Sequence, residues 1–195
     1  MSLPRRALAL AAVALAAGAA LGCGPKLPEA LRPEADKTPK GQLLIVEFVD
    51  FECPYCRENH LALRAALEPY RQRVRLVRKQ VPLDKHPMAR PAARAAVCAD
   101  KLERGDAMAD ALAQAPLEDI GPEGILKLGA SVGLDPSLLE ACVNNPATEA
   151  HIAADLALFE AVGGTGVPRL WIGAEELRGR QDQATFARVV ADALH

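Results

Sequence analysis

The sequence feature that most constrains the fold is an apolar run that leads directly into two closely spaced cysteines. Residues 42–49 have the composition of a strand buried on both faces, and a helical pattern over residues 54–70 overlaps Cys53-Pro54-Tyr55-Cys56. A strand that passes into a helix at this motif places Cys53 at the helix N-terminus, where free backbone N–H groups and the helix dipole favour a thiolate. The motif predicts thiol–disulfide exchange, with Cys53 as a reachable nucleophile and Cys56, one turn further along, as the resolving thiol.

Two other interpretations of the pair stay open at this point: half of a zinc site and a purely structural disulfide. A zinc site needs two further ligands, and the remaining histidines and cysteines form neither a second Cys-x-x-Cys nor a His-x3-His pattern. Pro54 suits the first turn of a redox helix, where no backbone N–H is needed, better than a zinc-binding turn. We therefore predict no metal and no other cofactor. The lack of methionine near the pair also disfavours a copper(I) carrier.

Composition indicates one domain and argues against a nucleic-acid partner. The chain has 195 residues, 50% of them apolar, and a formal net charge of −2. A cluster of basic residues follows the first helix, but alternating basic residues along a strand are typical of a solvated face. That cluster is Arg71, Arg73, Arg75 and Arg78.

The first residues resemble a bacterial secretion signal that ends in a lipidation site. Arg5 and Arg6 precede an apolar run over residues 7–21, which is too short to span a bilayer comfortably. The run ends in Ala20-Leu21-Gly22-Cys23, which resembles a lipobox although Ala20 stands where leucine is usual. We predict a lipoprotein-type signal peptide over residues 1–22 and lipidation of Cys23. A plain signal peptide and an uncleaved anchor helix are the alternatives, and all three place the rest of the chain where disulfides persist.

After the signal peptide, the sequence predicts a tether and then an α/β domain. Residues 23–40 are rich in proline and charge, so they are predicted to be an extended tether to a domain over residues 41–195. The domain begins as a β-α-β unit, which favours a parallel strand pair. The predicted elements are strands at 42–49 and 74–81, a helical insertion at about 86–145, a long helix at 146–162, strands at 169–172 and 176–179, and a helix at 183–194.

Three motifs in this order resemble the DsbA-like thiol–disulfide oxidoreductases. They are residues 47–56 with the cysteine pair, the stretch from Pro82-Leu83 to residues 95–96, and residues 164–168 with the following 170–173. The similarity covers residues 41–195. It implies an α/β thioredoxin fold in which the helical insertion separates the β-α-β half from the β-β-α half.

The resemblance also implies roles for residues around the pair. Glu47 stands where the family has an acidic residue beneath the disulfide, which implies a proton acceptor for Cys56 through water. The alternative is a strand-end residue with a route to solvent. The proline of the last motif is cis in the family, which implies a cis Val167–Pro168 bond that presents the Val167 backbone to an extended client.

Residues beside the pair are expected to set client binding and redox strength. Pro54 and Tyr55 are predicted to contact the client together with Val167 and Pro168. Arg169 departs from the usual threonine and is expected to place a charge beside the site. The pKa of Cys53 should fall from about 8.5 to between about 3.5 and 7, the lower bound being that of DsbA itself. Tyr55 is neutral where DsbA has histidine, so we predict a weaker oxidant than DsbA.

Two isolated cysteines lie in the predicted insertion. In an oxidising compartment Cys98 and Cys142 are predicted to form a structural disulfide, with two buried free thiols as the alternative. Closing a loop of about 45 residues would stabilise the domain by on the order of 4 kcal/mol. His60 is predicted to be solvated on its helix and His86 to cap the start of the insertion.

These inferences predict an extracytoplasmic, lipid-anchored enzyme that exchanges disulfides with client proteins and acts as a dithiol oxidase. A membrane redox partner would reset the cysteine pair, and the location would be the cell envelope, on the periplasmic side in a Gram-negative cell. The alternatives are a disulfide reductase of the same fold and a non-enzymatic binding or chaperone module.

Overall fold

A computed structural model of the chain describes residues 26–195. The predicted signal peptide and the predicted lipidation site at Cys23 lie outside the described residues. The strands are β1 (Leu43–Val49), β2 (Val74–Gln80), β3 (Arg169–Ile172) and β4 (Glu175–Arg178). The helices are α1 (Arg32–Asp36), α2 (Pro54–Leu67), α3 (Ala89–Lys101), α4 (Gly105–Gln114), α5 (Gly124–Ser131), α6 (Pro136–Val143), α7 (Pro146–Ala161) and α8 (Gln183–Leu194). Short 3-10 turns occupy Glu29–Leu31, Glu68–Tyr70 and Leu117–Ile120.

The strands form one mixed sheet in the order β2-β1-β3-β4. β1 runs parallel to β2 and antiparallel to β3, and β3 runs antiparallel to β4. The β-α-β unit, the helices that follow it and the β-β-α unit thus occur in the predicted order. The predicted thioredoxin fold, an α/β class with helices between the two halves, is confirmed.

The core is formed on both faces of β1, the central apolar strand. On one face Ile45 packs with residues of α2 and α8, including the fully buried Leu63 and Phe186. On the other face the ring of Phe48 lies 5.3 Å from Phe159 of α7 and 5.7 Å from Trp171 of β3. Because both faces are covered, a polar side chain on β1 is sealed from solvent.

Helices α3 to α6 occupy the region predicted as an insertion and pack over the cysteine pair. Their shared core is filled largely by small residues, among them the buried Ala92, Ala95 and Ala99. Cys98 of α3 and Cys142 of α6 form a disulfide, the pairing that the sequence predicts. The cross-link joins two helices whose contact would otherwise depend on few large side chains.

The extended conformation predicted for residues 23–40 is wrong for the part described. Glu29–Leu31 and α1 are helical turns, and Leu31 is fully buried against the sheet. The prolines begin these turns instead of extending the chain, because Pro28 caps the first and Pro33 lies in the first turn of the second. Glu34 adds ion pairs to Lys79 (2.9 Å) and Arg75 (3.0 Å) of β2.

The prediction of a solvated basic face on β2 is wrong for two of its arginines. Arg75 donates to the Glu34 backbone carbonyl at 3.0 Å, and the Arg78 side chain is only 9% exposed. The reason is that α1 and α4 cover this edge of the sheet with carboxylates, which alternation along the strand does not reveal.

Within residues 26–195, no helix combines the length and the apolar character needed to cross a membrane.

Candidate active site

The turn after β1 holds Cys53 at the start of α2. The Asp50 carboxylate accepts a hydrogen bond from the Glu52 N–H at 2.8 Å, and the Asp50 carbonyl accepts one from the Cys53 N–H at 3.1 Å. Cys53 is the N-cap residue, in an extended conformation, and Pro54 is the first helical residue. The other Asp50 oxygen accepts from the Leu83 N–H at 3.0 Å and pairs with His86 at 2.7 Å. This buried carboxylate therefore fixes the turn to the start of the insertion.

The two thiols have opposite acidities. The Cys56 thiol donates to the Cys53 sulfur, and this hydrogen bond is the largest influence that lowers the pKa of Cys53, to about 6. Burial opposes the shift, and the backbone N–H groups of Cys56 and Tyr55 add to it. Burial and the same hydrogen bond raise the pKa of Cys56 far above its usual value. Cys53 is thus the thiolate, and Cys56 is its protonated neighbour. The hydrogen bond from Cys56 is the main cause of the low pKa of Cys53, and the backbone N–H groups at the helix N-terminus add to it.

The sulfur of Cys53 is less open than the sequence predicts. Cys53 is 6% exposed and Cys56 is fully buried, whereas Pro54 and Tyr55 are exposed beside them, Tyr55 at 55%. The expectation of a freely reachable nucleophile is therefore wrong, because only a small fraction of Cys53 is exposed to solvent. Val167 packs against the cluster that contains both cysteines.

The loop opposite the pair contains the cis Val167–Pro168 bond. Among residues 26–195 the Val167 N–H and C=O make no hydrogen bond, while the Pro168 carbonyl accepts from the Gly179 N–H at 2.9 Å. The expectation of a charge from Arg169 beside the site is wrong. Arg169 is 4% exposed, bonded to the Val162 carbonyl at 2.9 Å and stacked over the Trp171 ring at 4.7 Å.

A buried polar network lies behind the pair. Glu47 is fully buried in the middle of β1, and its Oε2 lies 3.4 Å from Nδ1 of His60. Nε2 of His60 lies 2.9 Å from Oδ1 of Asp110 on α4, a carboxylate that is 33% exposed. Oε1 of Glu47 has no partner among the described residues. The alternative of a strand-end glutamate open to solvent is thereby excluded.

Cations complete this network. Nε of Arg78 lies 3.5 Å from Glu47, and its Nη1 donates to Asp106 at 2.8 Å. Arg64 donates to Asp110 at 3.1 Å and to Asp106 at 3.0 Å. Burial opposes ionisation of both aspartates, but Arg78 and Arg64 lower the pKa of Asp106, and the hydrogen bond with His60 together with Arg64 lowers the pKa of Asp110. Burial also works against a charged His60, but Asp110 and Glu47 together raise its pKa.

The predicted solvated position of His60 is wrong, since this side chain is fully buried. Its sequence position, one helical turn after Cys56, is the available signal that it lies on the same face of α2. Asp110 had no such signal, because it reaches the site from a helix of the insertion. Among residues 26–195, no group of three His, Cys, Asp or Glu side chains is arranged to hold a metal ion.

An apolar shelf beside the pair was also missed. It consists of Pro54, Leu61 and Leu117, of which Leu61 and Leu117 are exposed by 39% and 47%. Leu117 comes from the 3-10 turn after α4, and Arg57 ties α2 to that region by donating to the Ala113 carbonyl at 2.9 Å.

The fold and the cysteine pair define the class of this protein as a thioredoxin-fold thiol–disulfide oxidoreductase. The chain belongs to the thioredoxin family, whose model, described as thioredoxin, matches residues 38–192.

Solved structures with this fold agree with the class. A thioredoxin-like oxidoreductase from Silicibacter pomeroyi is 29% identical, with a TM-score of 0.68 over 80% of this chain and 88% of that one. A periplasmic thioredoxin-like protein from Salmonella enterica serovar Typhimurium is 25% identical, with a TM-score of 0.67 over 80% and 86%. The oxidoreductase DsbA from Xylella fastidiosa, at 24% identity and a TM-score of 0.62 over 80% and 87%, shares the fold.

Two curated relatives are much longer proteins. The Na(+)/H(+) antiporter NhaA of Herminiimonas arsenicoxydans is 30% identical over 173 residues, and NhaA 3 of Salinispora tropica is 28% identical over 151 residues. The matches cover 84% and 77% of this chain but only 27% and 23% of the antiporters. The chain thus spans about a quarter of the length of these relatives.

Proposed function

We propose that this chain is an extracytoplasmic dithiol oxidase that transfers its disulfide to client proteins. The observation that carries the proposal is a cysteine with a pKa of about 6, paired with a protonated thiol and set opposite a cis-proline loop with free backbone groups. A stable thiolate favours the reduced form of the pair, which makes the disulfide form oxidising.

The proposed cycle moves two electrons from the client to the pair. A client thiolate attacks Cys53 in the disulfide form; the Cys53–Cys56 bond breaks, and Cys56 leaves as a thiolate that takes up a proton. A second client thiolate then attacks the client sulfur of the mixed disulfide, which forms the client disulfide and releases Cys53 as a thiolate. In the reverse direction Cys56 loses its proton and resolves the mixed disulfide. A membrane redox partner is proposed to remove the two electrons.

Client binding is proposed on two adjacent surfaces. The free Val167 N–H and C=O can pair with an extended client segment beside Pro168. The shelf of Pro54, Leu61 and Leu117, with Tyr55, is suited to an apolar side chain near the client cysteine.

Glu47 is proposed to exchange the proton with Cys56 through water. Replacing Glu47 by glutamine should slow the step in which Cys56 gains or loses its proton by on the order of 100-fold, because an amide cannot accept that proton. The measurement is the single-turnover rate of mixed-disulfide resolution as a function of pH. The exposed Glu160 offers a matched control, and its change to glutamine should leave the rate unaltered. An unchanged rate in the folded Glu47 variant would remove Glu47 from the mechanism.

The location is proposed from the N-terminal residues, the Cys98–Cys142 disulfide and the periplasmic relative. Lipidation of Cys23 would hold the domain at the membrane that contains its redox partner. The matches to two antiporters cover most of this chain and overlap its thioredoxin match, so we propose redox chemistry for this chain and assign it no ion transport.

The direction of transfer is tested by the reduction potential of the protein equilibrated with glutathione, together with oxidation of a reduced, unfolded client. We expect a potential above that of thioredoxin, about −270 mV, and below that of DsbA, about −120 mV, with net client oxidation. A potential at or below about −270 mV with no client oxidation would favour the reductase, and no thiol exchange at all would favour the binding module.

A further inference from the structure

Glu47 is sealed from solvent, although its proposed role requires it to gain and lose protons. Its side chain has no exposed surface, because both faces of β1 are covered. Cys56 is fully buried as well, and Cys53 is 6% exposed. In the mixed disulfide the client lies over Cys53, so the open side of the pair is covered when Cys56 changes its proton. Glu47 therefore needs another connection to solvent at that step.

Two side-chain routes lead from Glu47 to the surface among the described residues. One passes through Arg78, whose Nε lies 3.5 Å from Glu47 and whose Nη1 donates to Asp106 at 2.8 Å. The other passes through His60, whose Nδ1 lies 3.4 Å from Glu47 and whose Nε2 lies 2.9 Å from Asp110. Both routes end at carboxylates of α4 that reach solvent, since the Asp106 side chain is 58% exposed and that of Asp110 33%.

The histidine route can conduct a proton, whereas the arginine route cannot. A guanidinium keeps its protons at any pH that a folded protein meets, and it has no atom that accepts another one. An imidazole can bind a proton on either ring nitrogen. In His60 the two nitrogens face different carboxylates, one buried and one at the surface. The ring can therefore take up a proton on one side and release one on the other.

We propose that His60 and Asp110 form the path by which the proton of Cys56 travels between Glu47 and solvent. When Cys56 leaves as a thiolate, Asp110 passes a proton from solvent to Nε2 of His60, and Nδ1 passes its own proton to Glu47. Glu47 then gives that proton to Cys56 through water. Oxidation of the pair by the redox partner reverses each transfer, so a full cycle returns the ring to its first tautomer. This path rests on the proposed function, because it supplies the proton that Glu47 exchanges.

The surroundings of His60 favour the charged ring that forms between the two transfers. Burial disfavours this charge, but Asp110 of α4 and Glu47 of β1 raise the pKa of His60 nonetheless, against a smaller opposing effect of Arg78 on β2. Arg64, on the same helix as His60, donates to Asp110 at 3.1 Å. The distance from Nδ1 to Glu47 exceeds that of an ordinary hydrogen bond, and such contacts often shorten only when the reacting complex forms.

The test measures the single-turnover rate of mixed-disulfide resolution in the full chain. His60→Gln keeps a polar side chain at this position but cannot pass a proton, and Asp110→Asn removes the surface end of the path. Each variant should slow resolution by about tenfold or more. Circular dichroism checks that both are folded, and Asp110→Asn changes a partly exposed residue that the fold tolerates more easily. Rates equal to that of the unmodified chain in both folded variants would overturn the proposal.

Buffer rescue distinguishes a proton path from a structural role. In Asp110→Asn a small buffer such as imidazole can approach Nε2 of His60 from solvent and exchange the proton in place of the carboxylate. The rate should then rise with imidazole concentration at constant pH and ionic strength. His60→Gln should show no such rise, because position 60 is fully buried. A rate in Asp110→Asn that does not respond to imidazole would overturn the path.

Asp106→Asn is the matched variant for charge. It lies one turn before Asp110 on α4 and loses the same charge, but its partners Arg78 and Arg64 cannot pass protons. It should slow resolution far less than Asp110→Asn, and imidazole should not change its rate. Equal slowing by both variants would show that the carboxylates act through their charge, which also overturns the path.

The Glu47→Gln variant separates failure of this path from failure of the proposed function. Slow resolution in Glu47→Gln, with normal rates in the His60 and Asp110 variants, would overturn the path and leave the proposed function in place. Absence of thiol exchange in the unmodified chain would instead overturn the proposed function.

Discussion

Replacing Cys53 by serine should abolish thiol exchange, and replacing Cys56 by serine should trap the client. Without the Cys53 sulfur no mixed disulfide forms, so insulin reduction should fall to the uncatalysed rate. In the Cys56 variant Cys53 still attacks, but no thiol resolves the product, so a covalent complex with a client should accumulate. A serine hydroxyl can still donate to the Cys53 sulfur, which preserves much of the hydrogen bond that lowers its pKa.

The readouts are the rate of insulin reduction and the mass of the trapped complex under non-reducing conditions. A Cys98→Ala/Cys142→Ala variant is the control, because it removes two sulfurs without touching the pair, and it should retain exchange at a temperature where it is folded. Residual turnover in Cys53→Ser, or exclusive trapping through another cysteine, would contradict the assignment of the nucleophile.

Removal of the Cys98–Cys142 disulfide should be the largest stability change available in the domain. The two cysteines are 44 residues apart, and closing such a loop is worth on the order of 4 kcal/mol in the chain-entropy model. For a domain of this size that free energy corresponds to a fall in the unfolding temperature of roughly 8–16 °C. The core around the cross-link includes alanines of α3 such as Ala92 and Ala95, which offer little area to compensate.

Thermal unfolding of the double alanine variant against the unmodified chain measures this effect. The matched control is the same comparison under strong reductant, where neither protein has the cross-link and the difference should nearly disappear. A variant that unfolds at the same temperature as the oxidised chain would show that the disulfide contributes little to stability.

Local features of this protein could be predicted from sequence, whereas features that depend on distant contacts could not. The start of α2 at Pro54 and the N-cap position of Cys53 follow from a strand, a proline and a helical pattern within a short stretch. The interior position of Arg78 depends on α4, which carries Asp106 to within 2.8 Å of it. The alternating pattern of β2 alone does not indicate that Asp106 lies beside Arg78.

The same distinction explains the remaining errors. His60 looked like a polar residue on a solvated helix face, but the insertion brings Asp110 over it and seals it against Glu47. Prolines and charges disfavour burial and so predict an extended segment over residues 23–40. Leu31 is nevertheless fully buried in this segment. Arg169 lies next to the cis-proline in sequence, but its side chain turns away to Glu176 and the Val162 carbonyl.

The acidity of Cys53 also sets how the reduced protein responds to pH. Its pKa is lower in the folded chain than the unfolded value of about 8.5, so the thiolate contributes stability that is fully present above about 8.5. This contribution is lost as the pH falls towards and through about 6. The oxidised form lacks this group and should not show the same dependence.

The most direct test of the whole account is the titration of Cys53 in the reduced, folded chain, followed by thiolate absorbance or by the rate of alkylation. We predict a midpoint near pH 6, with an upward shift in Cys56→Ala because the hydrogen bond from Cys56 is then lost. A midpoint at or above about 8.5, the value of an unperturbed cysteine, would contradict the account.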